Sequence, residues 1–331
     1  MPVDWSPLVA MIQEHQRFLL MTHIRPDADG MGSQLALAEA LRGLGKQVRV
    51  AVASTIPPRY DFLNPANAVI ERFRLPGKEF VNQDVIIILD TGTWNQLGDF
   101  ADFLKSQPIT RVVIDHHQTQ DDLGGLTFVD TTAEATGRLT YELIQALRVA
   151  ITPTIANALL MALATDTGWF RHANTTAASF SLASELVRHG AEPTRLYEQL
   201  YESAPLSRLR LTGKALDRLQ LHAAGQIAYT EVFLKDYDET GAVPGDTEEL
   251  INYTRSIAGV EVGLIFIEQP EGGTKISFRA RSRVDVSKLA QQFGGGGHRL
   301  AAGARTNMPL AATREAVLRA VEAVLQRSES V

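Results

Sequence analysis

Cysteine is absent from this chain, and its absence removes several classes of protein from consideration. With zero cysteines in the sequence, the protein forms no disulfides and offers no thiolate ligands to a metal ion. The composition fits a reducing compartment, although it is also compatible with others. We therefore expect a cytoplasmic protein without a disulfide framework.

Long hydrophobic runs are also missing. The longest apolar stretches have the length of strands, far short of the roughly 18 residues that a membrane-spanning helix needs. Residues Met1 to Ser6 lack the basic start that is typical of a secretory signal. We expect neither export nor insertion into a membrane.

The chain also lacks an excess of positive charge, since its formal net charge is -6. Proteins that coat long nucleic acids need many Lys and Arg side chains to displace condensed counterions, so this mode of binding is not expected here. Small anionic substrates remain compatible with the charge. Part of the negative charge would be offset if four aspartates bind two divalent cations, namely Asp27, Asp29, Asp90 and Asp166.

The length of the chain, 331 residues, exceeds the range over which one hydrophobic core usually grows. The composition is that of a globular protein, with 45% hydrophobic and 21% charged residues. After Gly190, Pro193 and Pro205 are the first clear interruption of the predicted pattern of helices and strands. We expect a first domain at residues 1–190, a linker at 191–212 and a second domain at 213–331.

Short apolar runs alternate with helical patterns in the first domain. Strands are predicted at residues 17–23, 47–53, 85–89 and 111–114, with spacings that allow crossover helices. A helix is predicted from Gly32 to Leu44, and residues 133–188 have helical periodicity. The pattern indicates an α/β fold, in which a parallel sheet carries helices on both faces.

The second domain is predicted to be a smaller α/β unit. Three segments have the pattern of strands, at residues 226–233, 260–267 and 274–281. Two further segments have helical patterns, at residues 247–258 and 313–325. No repeat links the two halves, so we expect them to have different roles.

Three predicted strands of the first domain end in residues that bind metals. The strands lead to His23, to Asp90 and to the triplet Asp115-His116-His117. Ligands bind outside the carboxyl ends of strands in open parallel sheets, so these side chains are expected to converge. Three adjacent ionisable residues after a buried strand cost desolvation free energy unless metals or partners compensate them.

The segment after His23 adds two carboxylates, Asp27 and Asp29, in what we expect to be a loop before the first helix. Oxygen ligands with one imidazole suit manganese or magnesium, and the order of residues does not match a calcium-binding EF-hand. The alternative is that these aspartates cap the following helix. Capping of a helix in the next loop is likewise the alternative for Asp90. Asp166 follows a helical pattern and is expected to cap or leave that helix.

The second domain contains four consecutive glycines, Gly294 to Gly297, followed by His298. Apolar segments flank them, so the glycines lie within a folded domain where backbone N–H groups can approach an anion. A flexible tether is the alternative, and no Walker motif follows. Arg279, Arg281 and Arg283 alternate at a predicted strand end, where they would share a face and clamp a phosphate, unless they form a solvated edge.

Motifs spread over nearly the whole chain resemble those of the DHH/DHHA1 phosphoesterase family: His23-x-x-x-Asp27-x-Asp29, Asp90, Asp115-His116-His117, Asp166 and Gly294-Gly295-Gly296-Gly297-His298. The resemblance is greatest to the branch of nanoRNases and pAp phosphatases. Members of this branch cut very short oligoribonucleotides and remove phosphate from 3′-phosphoadenosine 5′-phosphate. Two further segments support this placement, residues 166–171 and Arg281-Ser282.

The resemblance assigns a role to each of these residues. It implies one cation on His23, Asp27 and Asp90, and a second cation on four residues: Asp29, Asp90, His116 and Asp166. His117, Asp90 and Asp115 would form the catalytic group, with Asp90 bridging the cations and Asp115 orienting the site. Substrate binding would fall to six residues: Arg281, Ser282, Gly295, Gly296, Gly297 and His298.

The expected activity is hydrolysis by two cations about 3.5–4 Å apart, which activate a hydroxide for in-line attack on phosphorus. Manganese is expected over magnesium because imidazoles contribute to both cation sites. The resemblance implies an exoribonuclease for short RNA oligonucleotides and a 3′(2′),5′-bisphosphate nucleotidase for small nucleotides. Two alternatives remain open, a phosphodiesterase for cyclic or linear dinucleotides (c-di-AMP or pApA) and a nucleotide-sensing module without hydrolysis. The sequence also leaves a homodimer possible.

Overall fold

The structure, a computed structural model, describes residues 3–247 and 249–328. It divides into two compact units, and the chain passes from the first to the second between Ser203 and Ala204. The segment predicted as a linker, residues 191–212, is largely helical on both sides of this point. Within the described ranges, no helix is both long enough and apolar enough to cross a bilayer.

The N-terminal unit is built on a parallel sheet of six strands. Their order is β3-β2-β1-β4-β5-β6, and every neighbouring pair is parallel. The strands are β1 Arg17–Met21, β2 Gln47–Val52, β3 Glu71–Arg72, β4 Val85–Leu89, β5 Thr110–Asp115 and β6 Leu126–Val129. All five residues of β4 are buried because helices cover both faces of the sheet. The predicted parallel α/β fold is confirmed.

The α-helices described in this unit are α1 Ser6–Glu14, α2 Ala28–Gly43, α3 Asp99–Ser106, α4 Thr136–Ala146, α5 Pro153–Asp166, α6 Ala177–Arg188 and α7 Pro193–Tyr201. Successive strand residues contribute to opposite cores, since side chains alternate along a strand. Leu20 and Ile87 pack into the core that includes α2 and α5, whereas Leu19 and Ile86 pack into the core that includes Phe100 of α3.

The position of the functional edge follows from the strand order. The order reverses between β1 and β4, because the chain leaves β1 through α2 on one face and leaves β4 through α3 on the other. Strands β1, β4 and β5 are direct neighbours, so their carboxyl ends lie side by side. This switch point is where open α/β sheets form a ligand crevice.

Helix α2 begins at Ala28, earlier than the predicted start at Gly32. Asp27 caps it, because its Oδ1 accepts hydrogen bonds from the N–H groups of Asp29 (3.0 Å) and Gly30 (3.1 Å). Asp29 therefore lies in the first turn of a helix, and the expectation that it lies in a loop was wrong. The first turn of α2 packs closely against Thr22, since a Cβ on Gly30 would lie 2.4 Å from Thr22 Oγ1.

The C-terminal unit contains a second sheet of six strands in the order β11-β12-β10-β9-β8-β7. Its strands are β7 Gln220–His222, β8 Ile227–Val232, β9 Val262–Glu268, β10 Thr274–Ala280, β11 Gly296–His298 and β12 Ala301–Thr306. Only the β8–β9 pair is parallel within the described sheet. The α-helices are α8 Leu206–Asp217, α9 Leu234–Thr240, α10 Leu250–Arg255, α11 Val286–Gln292 and α12 Leu310–Ser328. The smaller α/β unit is thus confirmed, with α10 shorter and α12 longer than predicted.

Candidate active site

The carboxyl edge of the N-terminal sheet brings together all six predicted metal ligands: His23, Asp27, Asp29, Asp90, His116 and Asp166. They form two groups, one of His23, Asp27 and Asp90 and one of Asp29, His116 and Asp166; a third combination joins Asp90 to His116 and His117. Within each group the ligand atoms lie within 4.8 Å of one another. Residues far apart along the chain thus converge, as the resemblance implied.

Asp90 lies between the two groups and turns one oxygen to each. Its Oδ2 is 3.4 Å from His23 Nε2, and its Oδ1 is 3.6 Å from His116 Nε2. Its backbone is left-handed with φ of 65°, which is uncommon for a residue other than glycine, and its side chain is only 3% exposed. A strained conformation at the end of a buried strand is typical of functional positions.

The two imidazoles are oriented by backbone carbonyls. Nδ1 of His23 lies 2.8 Å from the carbonyl oxygen of Ile24, and Nδ1 of His116 lies 3.1 Å from that of Ala133. When Nδ1 donates its proton to the carbonyl, Nε2 keeps a lone pair for a metal ion. Nε2 of His116 is 3.7 Å from Asp166 Oδ2, so the acceptor nitrogen faces the carboxylates.

The electrostatics of the centre favour bound cations. Burial, followed by the charges of Asp90, Asp166 and Asp27, raises the pKa of Asp29 well above its usual range. Burial is also the main cause that raises the pKa of Asp166 to about 6. None of the described ion pairs joins a Lys or Arg to these carboxylates. Oxygen donors with two imidazoles, in excess of negative charge, fit divalent cations such as manganese or magnesium.

His117 lies beside Asp90 and is held by Asp115, which is fully buried. Asp115 Oδ1 accepts a hydrogen bond from His117 Nδ1 at 2.8 Å, and Oδ2 accepts one from Gln120 Nε2 at 2.6 Å. The hydrogen bond to Asp115 is the main cause that raises the pKa of His117 to about 9. The side chain of His117 is 44% exposed at the edge of the centre.

Two polar residues of the centre are absent from the sequence-based set. Gln120 supports Asp115, and Gly92 provides the space for it, since a Cβ on Gly92 would lie 1.7 Å from Gln120 Oε1. Thr136 contacts both Asp90 and Asp29 at the start of α4. A threonine at the start of a helical pattern was a weak signal for Thr136, but no sequence signal pointed to Gln120.

The chain after Asp166 forms an unusual turn. Gly168, Trp169 and Phe170 all have left-handed backbones, with φ of 57°, 57° and 63°. This turn places the Trp169 ring 5.1 Å from Tyr197, while Phe170 stacks on Phe180. The aromatic contacts stabilise two bulky residues in a conformation that is unfavourable by about 1–3 kcal/mol each.

In the C-terminal unit, the second half of the predicted glycine loop belongs to an edge strand, β11. Gly296 pairs with Gly303 and Gly297 with Ala302, so the glycines are incompatible with a free tether. The absence of side chains allows the close pairing, since a Cβ on Gly295 would lie 2.1 Å from the carbonyl oxygen of Gly303. The side chain of His298 lies outside the described part of the chain.

The predicted phosphate clamp differs from its expected arrangement. Strand β10 ends at Ala280, so Arg281 and Arg283 lie beyond it and the expected alternation on one strand face was wrong. The Arg281 guanidinium donates to the carbonyl oxygens of Arg255 (2.9 Å) and Val260 (3.1 Å). Arg279 remains within the strand, and among the described ion pairs none involves it.

Ser282 lies in a turn organised by a buried carboxylate. Glu261, 4% exposed, accepts hydrogen bonds from the N–H groups of Ser282 (3.1 Å), Arg283 (2.5 Å) and Val284 (3.1 Å). Burial opposes this charge, but the three N–H groups and Arg283 outweigh it and lower the pKa of Glu261. The conformation of the Ser282 turn thus depends on a residue that the sequence did not indicate.

Comparisons with known proteins agree with this architecture. The DHH family, N-terminal domain, matches residues 17–165, and the DHHA1 domain matches residues 224–327. The bifunctional oligoribonuclease and PAP phosphatase NrnA of Thermus thermophilus is 32% identical over 93% of this chain and 90% of its own. The protein of the same description from Bacillus subtilis is 27% identical over 90% of this chain and 92% of its own.

A solved structure shows the same fold over nearly the whole chain. The exopolyphosphatase-related protein from Bacteroides fragilis superposes with a TM-score of 0.91, covers 98% of each chain and is 24% identical. The expected resemblance to the nanoRNase and pAp phosphatase branch is confirmed by the relatives described above. This chain belongs to the DHH/DHHA1 family of phosphoesterases.

Proposed function

We propose that this phosphoesterase depends on two divalent cations and acts on short oligoribonucleotides, releasing mononucleotides, and on 3′-phosphoadenosine 5′-phosphate, releasing AMP and phosphate. The observation that supports it most is the position of Asp90, whose two oxygens face separate groups of carboxylates and imidazoles. The NrnA relatives, described as oligoribonucleases and PAP phosphatases, support the substrates. We interpret the N-terminal unit as the catalytic part of the chain.

The two groups define which residues would hold the cations. His23, Asp27 and Asp90 would hold one; Asp90 would share the other with Asp29, His116 and Asp166. When bound, the cations supply Lewis acidity toward the phosphate oxygens and the nucleophilic water. Manganese is favoured over magnesium because each group includes an imidazole. Asp27 also caps α2, and the oxygen that accepts the capping hydrogen bonds, Oδ1, is the one that lies 3.7 Å from His23 Nε2.

His117 is suited to assist the leaving group. Its imidazolium, maintained by Asp115, can donate a proton to the sugar oxygen as the phosphorus–oxygen bond breaks. Water supplies the oxygen that joins phosphorus, so the products are a phosphate or a 5′-nucleotide and a free hydroxyl group. Asp115 does not contact substrate in this proposal, and it acts by fixing the imidazole.

Substrate recognition is assigned to the C-terminal unit by the family resemblance. Ser282, Gly295, Gly296, Gly297 and His298 remain the proposed phosphate-binding residues, and β11 offers the backbone groups of an edge strand. Arg281 remains in the set, although its guanidinium donates to carbonyl oxygens, and Arg279 is the neighbouring arginine without a described carboxylate partner. The net charge of -6 is consistent with a preference for two to about five nucleotides.

One assay tests the substrates and the cation requirement together. Phosphate release from 3′-phosphoadenosine 5′-phosphate and shortening of an RNA ladder are measured with Mn²⁺, with Mg²⁺ and with chelator. We expect turnover of both substrates with Mn²⁺, a decline with RNA length and no activity with chelator. Equal degradation of long and short RNA would contradict the proposed substrate range.

The alternatives are separate arms of the same assay. Selective hydrolysis of c-di-AMP or pApA would indicate a signalling phosphodiesterase. Tight binding of 3′-phosphoadenosine 5′-phosphate without release of phosphate would indicate a sensing module. A cytoplasmic location and a homodimer stay predictions of the sequence.

A further inference from the structure

The start of helix α4 joins two carboxylates of the cation centre. The N–H groups of Thr136 and Gly137 donate to Asp29 Oδ2 and Oδ1 at 2.8 and 2.9 Å. The Thr136 hydroxyl donates to Asp90 Oδ1 at 2.9 Å. Ala135, at the N-cap position, has no side-chain cap, so Asp29 replaces it from a position 107 residues earlier in the chain.

The hydroxyl of Thr136 has a specific geometric effect on Asp90. The last torsion of an aspartate is broad, so nothing in the side chain itself decides which oxygen faces which neighbour. The hydrogen bond from the Thr136 hydroxyl distinguishes Oδ1 of Asp90 from Oδ2. Oδ1 is also the oxygen that lies 3.6 Å from His116 Nε2. The other oxygen, Oδ2, is then left on the side of His23. Both Thr136 and Asp90 are buried, so water does not readily replace this hydrogen bond.

We propose that Thr136 is a positioning residue of the cation centre. Its hydroxyl fixes the rotation of the Asp90 carboxylate, so that one oxygen faces each group of ligands, and its N–H group holds Asp29 in place. Thr136 itself does not contact a cation or the substrate. This inference rests on the proposed cation dependence, but it does not depend on which nucleotide is the substrate.

The chain provides a matched control one turn further along α4. Thr140 is also fully buried, and its hydroxyl has no hydrogen-bond partner in the described structure. Thr136→Val and Thr140→Val therefore remove the same atom from the same helix, but only the first removes a contact to the centre. Thr136→Ser restores the hydroxyl without the methyl group, while the N–H group remains in all of these variants.

The test is a calorimetric titration of Mn²⁺ into metal-free protein, without substrate. We expect Thr136→Val to weaken the binding of at least one cation by about 10- to 100-fold, the range found when a partner of a metal ligand is lost. Thr136→Ser is expected to stay within about threefold of wild type, and Thr140→Val to match it. Thermal unfolding in chelator reports whether the fold is retained, and turnover is measured in parallel.

Two results would overturn the proposal. The first is Thr136→Val protein that binds Mn²⁺ with the stoichiometry and affinity of wild type. The second is Thr136→Ser protein as impaired as Thr136→Val, because the hydroxyl would then not be the cause. Should the valine variant fail to fold, the serine variant and Thr136→Ala provide the same contrast. Wild-type protein that binds two cations but hydrolyses neither substrate would contradict the proposed function without affecting this inference.

Discussion

The two units differ in how they shift the pKa of a buried carboxylate. In the C-terminal unit, Asp236 is fully buried and pairs with Arg218 through two hydrogen bonds of 2.7 and 2.5 Å. Burial opposes the charge of Asp236, but Arg218 outweighs it and lowers the pKa. In the N-terminal unit, Asp29 is equally inaccessible, yet its pKa is raised well above the usual range.

The difference shows what each carboxylate is for. Asp236 and Glu261 have their partners within the chain, so their charges are already compensated and they stabilise local structure. The centre around Asp90 combines several carboxylates without a permanently positive partner, which is unfavourable until a cation arrives. The first pattern stabilises the fold, whereas the second fits the proposed role of the centre, in which a bound cation would compensate the carboxylates.

The strongest test of this contrast is Asp90→Ala. Loss of the shared ligand is expected to lower turnover at least about a thousandfold, because both cations lose a ligand. In chelator the variant should stay folded, since removal of one repelling charge offsets the loss of the hydrogen bond from the Thr136 hydroxyl. Saturating Mn²⁺, at about 100 times its Kd, should stabilise wild type by about 2.7 kcal/mol for each bound cation and the variant by less. Retained wild-type activity would contradict the mechanism.

The opposite result is expected for Asp236→Asn, which removes a compensated charge. We expect the C-terminal unit to lose about 2–3 kcal/mol of unfolding free energy at neutral pH, measured by urea denaturation. Because the folded pKa of Asp236 is lowered, its contribution is present above the unfolded pKa of about 3.9 and is lost as the pH falls below it. The difference between wild type and variant should therefore shrink in acid.

Glu239→Gln is the control for Asp236→Asn, because Glu239 lies on the same helix and pairs with Lys214 at the surface. Its effect is expected to be within about 0.5 kcal/mol. An equal loss of stability in both variants would show that burial of Asp236 adds nothing.

A smaller effect is expected for Gln120→Met, which removes a neutral support of the N-terminal centre. The variant loses the hydrogen bond to Asp115, so His117 is held less firmly, and kcat should fall about tenfold with little change in KM. Gln107→Met is the control, since Gln107 bonds only to Ser106 through its side chain in the described structure. A rise in KM with unchanged kcat would assign Gln120 to substrate binding instead.

The smallest effect is expected for Glu261→Gln, which weakens the support of the Ser282 turn. Loss of the charge weakens three accepted N–H bonds, and KM should rise about three- to fivefold while kcat is preserved. Glu271→Gln, which affects an exposed pair with Arg305, should leave both constants unchanged. If kcat falls instead of KM rising, the turn acts on the chemical step.

The convergence of the strand-end residues could be predicted from topology, whereas the proposed ligand set came from the family resemblance. Strand ends of a parallel sheet meet at one edge, so His23, Asp90 and Asp115 were expected together before any coordinates. The start of α2 was placed too late, because the cap formed by Asp27 is a local hydrogen bond that hydrophobic periodicity does not detect.

Residues that support the ligands could not be predicted. Thr136 and Glu261 act through contacts with residues that are distant in sequence or lie in irregular turns; Thr136 had only the weak signal of a threonine at the start of a helical pattern, and Glu261 had none. The arginine alternation failed for a similar reason, since β10 ends before Arg281 and the guanidinium is recruited by the carbonyls at the end of α10. Which polar groups contact each other depends on the tertiary structure, and a pattern along the sequence does not reveal these contacts.

The distance along the chain between Asp29 and the α4 amides has a consequence for biogenesis. A nascent polypeptide that has left the ribosome as far as His117 already carries His23, Asp90 and His116, but it lacks the N–H groups that hold Asp29 and has not yet acquired Asp166. Closing so long a loop costs conformational entropy, and this cost arises before the contacts that compensate it have formed. Loop closure is therefore slow. We therefore expect the proposed centre to capture its two cations late in the maturation of the protein.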